Sequence, residues 1–257
     1  MIDLHCHVLP GIDDGPATIE GSLALAGAAA AAGTRVLVAT PHVSAHYFND
    51  ADTIARLVAK MNAAIACEGL ELEVAPGAEV AATRVADLGD EELSRLGLGG
   101  GSWLLVECPL TTNVTGFDTI VRYLKDRGHR IVLAHPERSP VFQRDPQMLR
   151  ALVQSGMLVS VTAGALVGQF GRDVQRYAQT LARDELIHNV ASDAHDHVHR
   201  APGITAALEV AGLQPLGEWL TQTVPAAILA DAEIPPRPCT VRPAPVTRRR
   251  RWWPARG

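Results

Sequence analysis

Short apolar runs rich in β-branched residues recur along the chain and alternate with helix-length segments. The runs predict seven strands, at residues 2–7, 35–40, 72–77, 103–107, 130–134, 157–161 and 188–192. Helices are predicted between them, at residues 18–32, 52–68, 91–96, 117–127, 146–154 and 174–184, with two more at 202–211 and 216–230. Continuous apolar strands that alternate with helices are typical of a parallel sheet with crossover helices.

Seven strand–helix units favour an α/β barrel, with an open doubly wound sheet as the alternative. No glycine-rich phosphate loop follows any predicted strand, which weakens a nucleotide-binding version of the open sheet. The chain has 257 residues, of which 47% are hydrophobic, so it can bury a large core. We place one domain over residues 1–234 and expect residues 235–257, rich in proline and arginine, to form a disordered tail.

Charge is unevenly spread along the chain. The net charge is −5, yet the predicted tail contains seven arginines and no acidic residue, so the body is more acidic than the whole. An acidic body argues against a nucleic-acid-binding surface. It is compatible with a carboxylate-rich site whose charge is offset by metal ions.

Cysteine usage and the chain start predict a cytoplasmic protein. Cys6, Cys67, Cys108 and Cys239 form no CxxC pair and no disulfide framework, which favours a reducing compartment. The start lacks the basic region of a signal peptide. The apolar run at residues 23–32 is too short to span a bilayer.

The opening stretch, MIDLHCHVLPGIDDGP, places two histidines on the first predicted strand. His5 and His7 alternate with Cys6, so their imidazoles point to the same face of that strand. Asp13 and Asp14 follow after a loop that contains Gly11. Taken alone, such a pair is more often two partly exposed histidines on an edge strand, so the rest of the chain has to decide.

Polar side chains collect at the carboxyl ends of six of the seven predicted strands, the end at which barrels of this class build active sites. They are His5, His7, Asp14, His42, Glu79, Glu107, His135, Glu137, Arg138, Asp193 and His195. Glu107 follows four apolar residues, so its carboxylate is expected to be partly buried and to need a cation or hydrogen-bond donors beside it. The alternative is a structural carboxylate paired with an arginine. We assign no role to His129 and His188, and we expect His46, His197 and His199 in exposed or rim loops.

Imidazoles and carboxylates without thiolates suit manganese, iron or zinc. Five histidines and four acids are too many for one ion and predict a cluster of two or three metals with a bridging carboxylate, which serves phosphate-ester hydrolysis. The predicted ligands are His5, His7, Asp14, His42, Glu79, Glu107, His135, Asp193 and His195. Arg138 and Arg200 lie near them in sequence and suit a phosphate, although a surface ion pair is the commoner fate of arginine.

These motifs resemble the polymerase-and-histidinol-phosphatase (PHP) superfamily, and within it the bacterial metal-dependent tyrosine-protein phosphatases of capsule and exopolysaccharide loci. The resemblance spans about residues 1–230, and five motifs carry it: the opening stretch, the TPH of residues 40–42, the GAE of 77–79, the AHPER of 134–138, and the SDAH of 192–195 followed by Arg200. Two features depart from that family's pattern. The chain has Val224-Pro225 where the family often has Asn-Pro, and it has the arginine-rich tail.

The resemblance implies a distorted (β/α)7 TIM-like barrel, the PHP fold, with three metal ions, usually Mn²⁺, although iron or zinc would also fit. It places His5, His7, Glu79 and Asp193 on one ion. Glu79 would bridge to a second ion that is also held by Glu107 and His135. Asp14, His42 and His195 would hold the third. Arg138 and Arg200 match the family's phosphate-binding arginines.

The predicted function is therefore hydrolysis of phosphotyrosine on a protein, such as a membrane-associated tyrosine kinase of exopolysaccharide assembly, through attack by a metal-activated hydroxide. A phenolate, with a conjugate-acid pKa of about 10, leaves more easily than an alkoxide, which favours phosphotyrosine over phosphoserine. The main alternative is another PHP-family phosphoesterase, such as histidinol-phosphate phosphatase.

Two further functions are considered, a cysteine-dependent phosphatase and a non-catalytic protein, together with a membrane contact of the tail. A cysteine-dependent phosphatase would need an arginine six residues after Cys6, where the chain has Ile12. A non-catalytic metal-binding or scaffold protein is expected to lack some ligands, and none is missing. Arg248–Arg251, followed by Trp252 and Trp253, could contact an anionic membrane surface, against the alternative of a solvated terminus. The oligomeric state is left open.

Overall fold

The computed structural model describes residues 1–112 and 116–239. Over these residues the strands are β1 (Ile2–Cys6), β2 (Val36–Ala39), β3 (His42–Val43), β4 (Glu73–Ala75), β5 (Glu79–Ala81), β6 (Trp103–Glu107), β7 (Arg130–Ala134), β8 (Leu158–Thr162) and β9 (Asn189–Ala191). The helices are α1 (Ile19–Ala31), α2 (Ala51–Cys67), α3 (Asp90–Arg95), α4 (Phe117–Asp126), α5 (Pro140–Arg144), α6 (Pro146–Gln154), α7 (Ala163–Leu166), α8 (Arg172–Arg183), α9 (Ile204–Ala211) and α10 (Val224–Leu229).

The strands form two parallel sheets, with orders β1-β2-β4 and β3-β5-β6-β7-β8-β9. Except between β2 and β3 and between β4 and β5, helices connect successive strands, so the predicted α/β class with parallel sheets is confirmed. The last strand lies beside the first: Cys6 bridges to Ala194, the His7 N–H donates to the Ala194 carbonyl at 2.9 Å, and the Asp193 N–H donates to the His5 carbonyl at 2.8 Å. The carboxyl ends of β1 and β9 therefore meet.

Two predicted strands are interrupted. The predicted strand at residues 35–40 ends at Ala39 and resumes as β3, while the strand at 72–77 ends at Ala75 and is followed by β5, which the pattern did not predict. Pro41 and Pro76 lie in these breaks and cannot donate a ladder hydrogen bond. After the breaks, β3 pairs with β5, and His42 comes into register opposite Glu79.

Strand side chains are buried on both faces, as their continuous apolar sequences predict. Leu4, Cys6, Leu104 and Leu105 are fully buried. Helices pack against the sheets, and α1, α2 and α6 each begin after a residue whose side chain caps the helix. Helix α2, for example, begins after Asp50, whose carboxylate accepts a 2.7 Å hydrogen bond from the Thr53 N–H.

The predicted single helix at residues 216–230 is wrong in detail. The segment forms a 3₁₀ turn at Gln214–Leu216, a π-helix at Trp219–Thr223 and then α10. Pro225 has no N–H to donate to the carbonyl four residues earlier, so the α-helical ladder cannot run through it. Helices α5 and α7 were not predicted, because four or five residues are too few to show a helical period.

Part of the predicted tail lies against the body. The Trp219 indole N–H donates to the Pro235 carbonyl at 3.1 Å, and Arg237 donates to the Ile187 carbonyl at 3.1 Å. Residues 240–257 lie outside the described residues, and with them the predicted membrane-contact segment. Within residues 1–112 and 116–239, no helix combines the length and the hydropathy that crossing a bilayer requires.

Asn62 on α2 fixes the edge strand β4 of the smaller sheet. Its side-chain amide donates to the Val74 carbonyl at 2.8 Å and accepts from the Val74 N–H at 2.9 Å. We expect Asn62→Ala to lower the free energy of unfolding by about 1–3 kcal/mol, because it leaves both backbone groups of a buried residue unpaired. Urea denaturation measures this change. Lys60→Ala, on the exposed face of the same helix, is the control, and equal stability of the two variants would contradict the assignment.

Candidate metal centre

All nine predicted ligands come together at the carboxyl ends of the strands. Among the described residues they form four groups, and within each group the ligand atoms lie within 4.8 Å of one another. The groups are His7, Asp14, His42 and His195; His5, His7 and Asp193; His5, Glu79 and His135; and His42, Glu79 and Glu107. Shared members join the groups into one cluster, so no predicted ligand is left outside it.

Glu79, the first residue of β5, lies at the middle of the cluster. One carboxylate oxygen, Oε2, lies 3.0 Å from His42 Nδ1 and 3.3 Å from His5 Nε2. The other oxygen, Oε1, lies 2.6 Å from His135 Nε2. The side chain is buried, and its two oxygens face different imidazoles. This is the arrangement that a carboxylate bridging two cations requires.

The opening histidine pair has the geometry of metal ligands. His5 Nε2 and His7 Nε2 are 3.2 Å apart, and Asp193 Oδ1 lies 3.5 Å and 3.4 Å from them. Ligands about 2.1 Å from one ion are about 3.4 Å apart at tetrahedral angles and about 3.0 Å apart at octahedral angles. These three atoms therefore fit around one divalent cation.

The Asp14 group forms the open side of the cluster. Asp14 Oδ1 lies 3.2 Å from His195 Nε2 and 3.5 Å from His42 Nε2, and the Asp14 side chain is 45% exposed. The adjacent His195 imidazole holds the pKa of the Asp14 carboxyl below its ordinary value. The group of His42, Glu79 and Glu107 is also partly exposed, whereas the other two groups are buried, so a ligand from solvent reaches the cluster at Asp14 or at Glu107.

Glu107 ends β6 and faces Glu79 within the group that includes His42. Burial raises the pKa of the Glu107 carboxyl, and the nearby charge of Glu79 raises it further. In the described part of the chain no arginine lies within ion-pair distance of Glu107, so the alternative of an arginine-paired structural acid is not what the structure shows. Two facing carboxylates in a buried place call for a cation between them.

Buried polar atoms without hydrogen bonds support the fit of metal ions. Glu79 Oε2 and His195 Nε2 are both buried and lack a hydrogen bond of acceptable geometry. Burial lowers the pKa of His5 to about 3, so this imidazole is neutral and its nitrogen is available as a ligand. The ionised carboxylates of such a buried set need positive charge to compensate them. The residues present therefore fit divalent metal ions with nitrogen and oxygen ligands.

Asp13 orients two of the predicted ligands, and the sequence analysis gave it no role. Its Oδ2 atom lies 2.7 Å from His7 Nδ1 and accepts a 3.1 Å hydrogen bond from the His42 N–H. Burial acts against a charged imidazole, yet the hydrogen bond to Asp13 and the nearby Glu79 carboxylate raise the pKa of His7 to about 9. Asp13 thereby holds the ring with Nε2 toward the cluster. The sequence analysis selected Asp14 as the ligand of the Asp13-Asp14 pair, and only the structure shows that Asp13 orients His7.

Gly15 allows the Asp13 loop to close over His7. A Cβ atom on Gly15 would lie 2.3 Å from the His7 carbonyl oxygen, closer than any side chain can approach backbone. The Gly15 N–H donates to Asp13 Oδ1 at 3.0 Å. The glycine of the opening motif thus keeps the orienting carboxylate against its histidine.

Two of the predicted ligands have left-handed backbone conformations. His135, directly after β7, has a φ of 34°. Asp193, two residues after the end of β9, has a φ of 51°. For residues other than glycine this costs about 1–3 kcal/mol each and is concentrated at functional sites. The strain lies where the chain turns these side chains into the cluster.

Arg138 and Arg200 converge on the same carboxylate at the edge of the cluster. Both pair with Asp193 Oδ2, Arg200 at 2.9 Å, and Arg138 also donates to Thr162 Oγ1 at 2.8 Å. The Phe170 ring lies 4.0 Å and 5.9 Å from the two guanidinium carbons. The Nε atoms of both arginines are buried without a partner, so each keeps a donor for an anion. Phe170 was not predicted, since nothing in its local sequence marks it.

The remaining histidines lie where they were expected. His46, His197 and His199 are exposed in loops, as predicted. His129 and His188 belong to none of the metal-ligand groups of the described residues. Glu137, which the strand-end pattern also selected, is buried and accepts a 2.9 Å hydrogen bond from the Thr162 N–H, so it supports the loop that carries Arg138.

Comparison with known proteins gives consistent matches. A sequence model of the family described as "Capsular polysaccharide synthesis, CpsB/CapC" matches residues 1–222. The tyrosine-protein phosphatase YwqE of Bacillus subtilis is 32% identical over 264 residues, covering 97% of this chain and 98% of the relative. The tyrosine-protein phosphatase CpsB of Streptococcus pneumoniae is 26% identical over 216 residues, covering 82% of this chain and 89% of the relative.

A solved structure also matches over nearly the whole chain. It comes from a study of YwqE from Bacillus subtilis and CpsB from Streptococcus pneumoniae, described there as unique metal-dependent tyrosine phosphatases. The TM-score is 0.82 at 31% sequence identity, and the match covers 94% of this chain and 100% of the other. Similarity in sequence and similarity in structure thus extend together over the strands that carry the cluster.

The orienting role of Asp13 can be measured as metal affinity. We expect Asp13→Ala to weaken the binding of Mn²⁺ by about 10- to 100-fold, because the His7 ring loses the partner that fixes its orientation. Calorimetric titration of the metal-free protein with Mn²⁺ gives the affinity. Asp173→Ala, which removes an exposed carboxylate of α8, is the matched control. The assignment is wrong if the two variants bind Mn²⁺ equally well.

Proposed function

Because the chain belongs to the CpsB/CapC family of capsular polysaccharide synthesis, we propose that it is a metal-dependent phosphatase that hydrolyses phosphotyrosine in proteins. The observation that carries the proposal is the cluster itself. Nine imidazole and carboxylate side chains meet beside two arginines, in a chain that is similar over almost its whole length to metal-dependent tyrosine phosphatases.

The cluster is proposed to hold three divalent ions, Mn²⁺ in the first place, with iron or zinc as alternatives. His5, His7, Glu79 and Asp193 would hold one ion, Glu107 and His135 would hold a second with Glu79 as the bridge, and Asp14, His42 and His195 would hold the third. When bound, such ions supply an activated water nucleophile and neutralise charge on the phosphoryl oxygens. Asp13 keeps His7 oriented toward them.

Arg138 and Arg200 are proposed to bind the phosphoryl group. Their guanidiniums lie on Phe170 and pair with Asp193, so both are held in place before a substrate arrives. Their unpartnered Nε–H groups can donate hydrogen bonds to an anion without breaking an existing hydrogen bond. Donors fixed in advance stabilise the charge that develops on the phosphoryl oxygens at little reorganisation cost.

The leaving group favours phosphotyrosine. A phenol has a pKa of about 10, so its oxygen can depart as an anion with little proton donation. All five histidines of the metal-ligand groups are proposed as ligands, so none of them is assigned as a proton donor. A phosphoserine would release a far more basic alkoxide, which needs such a donor.

The fold, location and partners are proposed with the same function. Taken as two broken strands, β2 with β3 and β4 with β5 bring the number of strands to seven, and the contact of β9 with β1 is the closure that a distorted (β/α)7 barrel requires. We place the protein in the cytoplasm, acting on a membrane-associated tyrosine kinase. We propose the arginine- and tryptophan-rich segment at residues 248–253 as a peripheral membrane contact.

The test of the proposal is hydrolysis of a phosphotyrosine peptide by the purified protein before and after removal of metal. We expect chelation to abolish phosphate release and Mn²⁺ to restore it, because the bound ions would supply the activated water that attacks phosphorus. Glu79→Gln is expected to lose at least about 100-fold in kcat, since it removes the charge of the bridging carboxylate.

The control for this experiment is Glu185→Gln, which lies outside the metal-ligand groups of the described residues and is expected to keep wild-type kcat. Hydrolysis that survives chelation, or wild-type turnover by folded Glu79→Gln, would contradict the metal assignment. Absence of hydrolysis of any phosphotyrosine peptide by the Mn²⁺-loaded protein would contradict the substrate.

Cys6 separates this mechanism from one that uses a cysteine nucleophile. The thiol is fully buried, burial raises its pKa well above the ordinary value, and its Sγ donates to the Ala194 carbonyl at 3.6 Å. We therefore expect Cys6→Ser to keep kcat/KM within about threefold of wild type, since a buried neutral thiol is no nucleophile. Steady-state kinetics on the phosphopeptide measures this ratio. A folded, metal-loaded but inactive Cys6→Ser protein would restore the thiol mechanism.

A further inference from the structure

An apolar cavity adjoins the metal centre, and the mechanism above does not use it. The cavity has a volume of about 210 Å³ and lies between the segments that follow β5 and β6 and the first turns of α4. Glu107 is one of the residues that line the cavity, and it is also a member of a metal-ligand group. The cavity therefore adjoins the metal centre at Glu107.

The cavity has a rigid wall and an exposed rim. Phe117 lines it, is 2% exposed, and packs edge-to-face on the buried Phe142 ring with the centroids 6.2 Å apart. Leu110 also lines it but is 49% exposed. A large apolar side chain that stands exposed beside a fixed apolar wall is covered when a ligand enters.

The lining chemistry suits an aromatic ring. Apart from Glu107, the described residues that line the cavity carry no charge, and Ala82, Leu110, Phe117 and Ile120 supply apolar surface. An apolar cavity of about 150 Å³ is large enough to bind benzene, so this one has room for the ring of a phenol.

A second cavity on the other side of Glu107 has a different character. Its volume is about 350 Å³, and it shares Ala81, Thr83 and Glu107 with the apolar cavity. Its other walls include His46 and Tyr47, which bring polar atoms to the surface. Two cavities thus meet at Glu107, and the apolar one is the better environment for an aromatic ring.

We propose that the apolar cavity is an aryl subsite, which receives the ring of the phosphotyrosine while the phosphate lies at the metal centre. The inference rests on the proposed function and deepens it. A phosphoserine or phosphothreonine leaves the cavity unfilled, so the ring contributes binding that an alkyl substrate cannot obtain. Leu110, Phe117 and Ile120 then determine specificity, in addition to the reactivity of the leaving group.

The test separates ring binding from leaving-group chemistry by using phosphonates, which are not hydrolysed. Calorimetric titration of the Mn²⁺-loaded full chain gives the affinities for benzylphosphonate and methylphosphonate. We expect the wild type to bind benzylphosphonate at least about tenfold more tightly. Leu110→Ser is expected to reduce that ratio by about threefold or more while leaving methylphosphonate affinity unchanged, because only the ring contact is weakened.

The controls distinguish a local effect from a general one. Val210→Ser removes an exposed apolar side chain of α9, 69% exposed, and is expected to keep the wild-type ratio. Leu110→Met is expected to restore the ratio, since it returns apolar surface to the rim. Thermal unfolding checks that each variant is folded, and Ile120→Thr replaces Leu110→Ser if that variant does not fold.

Three results would overturn the aryl subsite. The first is equal affinity of the wild type for the two phosphonates. The second is an unchanged ratio in both the Leu110→Ser and Ile120→Thr proteins. The third is a Leu110→Ser defect confined to peptides with an apolar residue beside the phosphotyrosine, which would assign the cavity to that neighbour. Failure of the proposed function is separate, because it is read as absent phosphopeptide hydrolysis and not as phosphonate affinity.

Discussion

Charge compensation at a buried cluster is the constraint on which this structure depends. Nine metal-ligand side chains meet at the carboxyl ends of parallel strands, and Glu79, His5 and His7 among them are almost completely removed from water. Burying an ionised carboxylate without a partner costs several kcal/mol, so the arrangement requires positive charge within it. Divalent ions inside the cluster and two arginines at its edge would supply that charge, and the same positive charge attracts a phosphate.

The backbone is built to satisfy this constraint. Pro41 and Pro76 interrupt two strands that pair with each other on both sides of the breaks, first as β2 with β4 and then as β3 with β5, and the second pairing places His42 opposite Glu79. Left-handed conformations at His135 and Asp193 store strain at the turns that carry ligands. These features weaken the sheet locally, and the core that packs on both of its faces provides the stability that tolerates them.

Two different surroundings of the cluster are proposed to bind the two parts of the substrate, a charged one for the phosphate and an apolar one for the ring. On one side, Arg138 and Arg200 lie over Phe170 and keep free donors for a phosphoryl group. An apolar cavity also adjoins the cluster, with Glu107 and the buried ring of Phe117 among its lining residues. A phosphate ester of a phenol has the same division, with a charged end and an apolar end joined by one oxygen.

The sequence by itself determined the class of the fold and the membership of the cluster. Apolar runs and helix-length segments have fixed periods, and the carboxyl ends of parallel strands share one side, so Glu107 and His135 could be placed near each other without coordinates. Only the tertiary structure decided how the members divide their roles. Asp13 and Asp14 are adjacent and chemically identical, yet one orients His7 and the other joins the open ligand group. The sequence also did not predict the position of Phe170 beside the two arginines or the apolar cavity. Both form from segments that are distant in sequence, and the approach of these segments depends on packing and not on any local pattern.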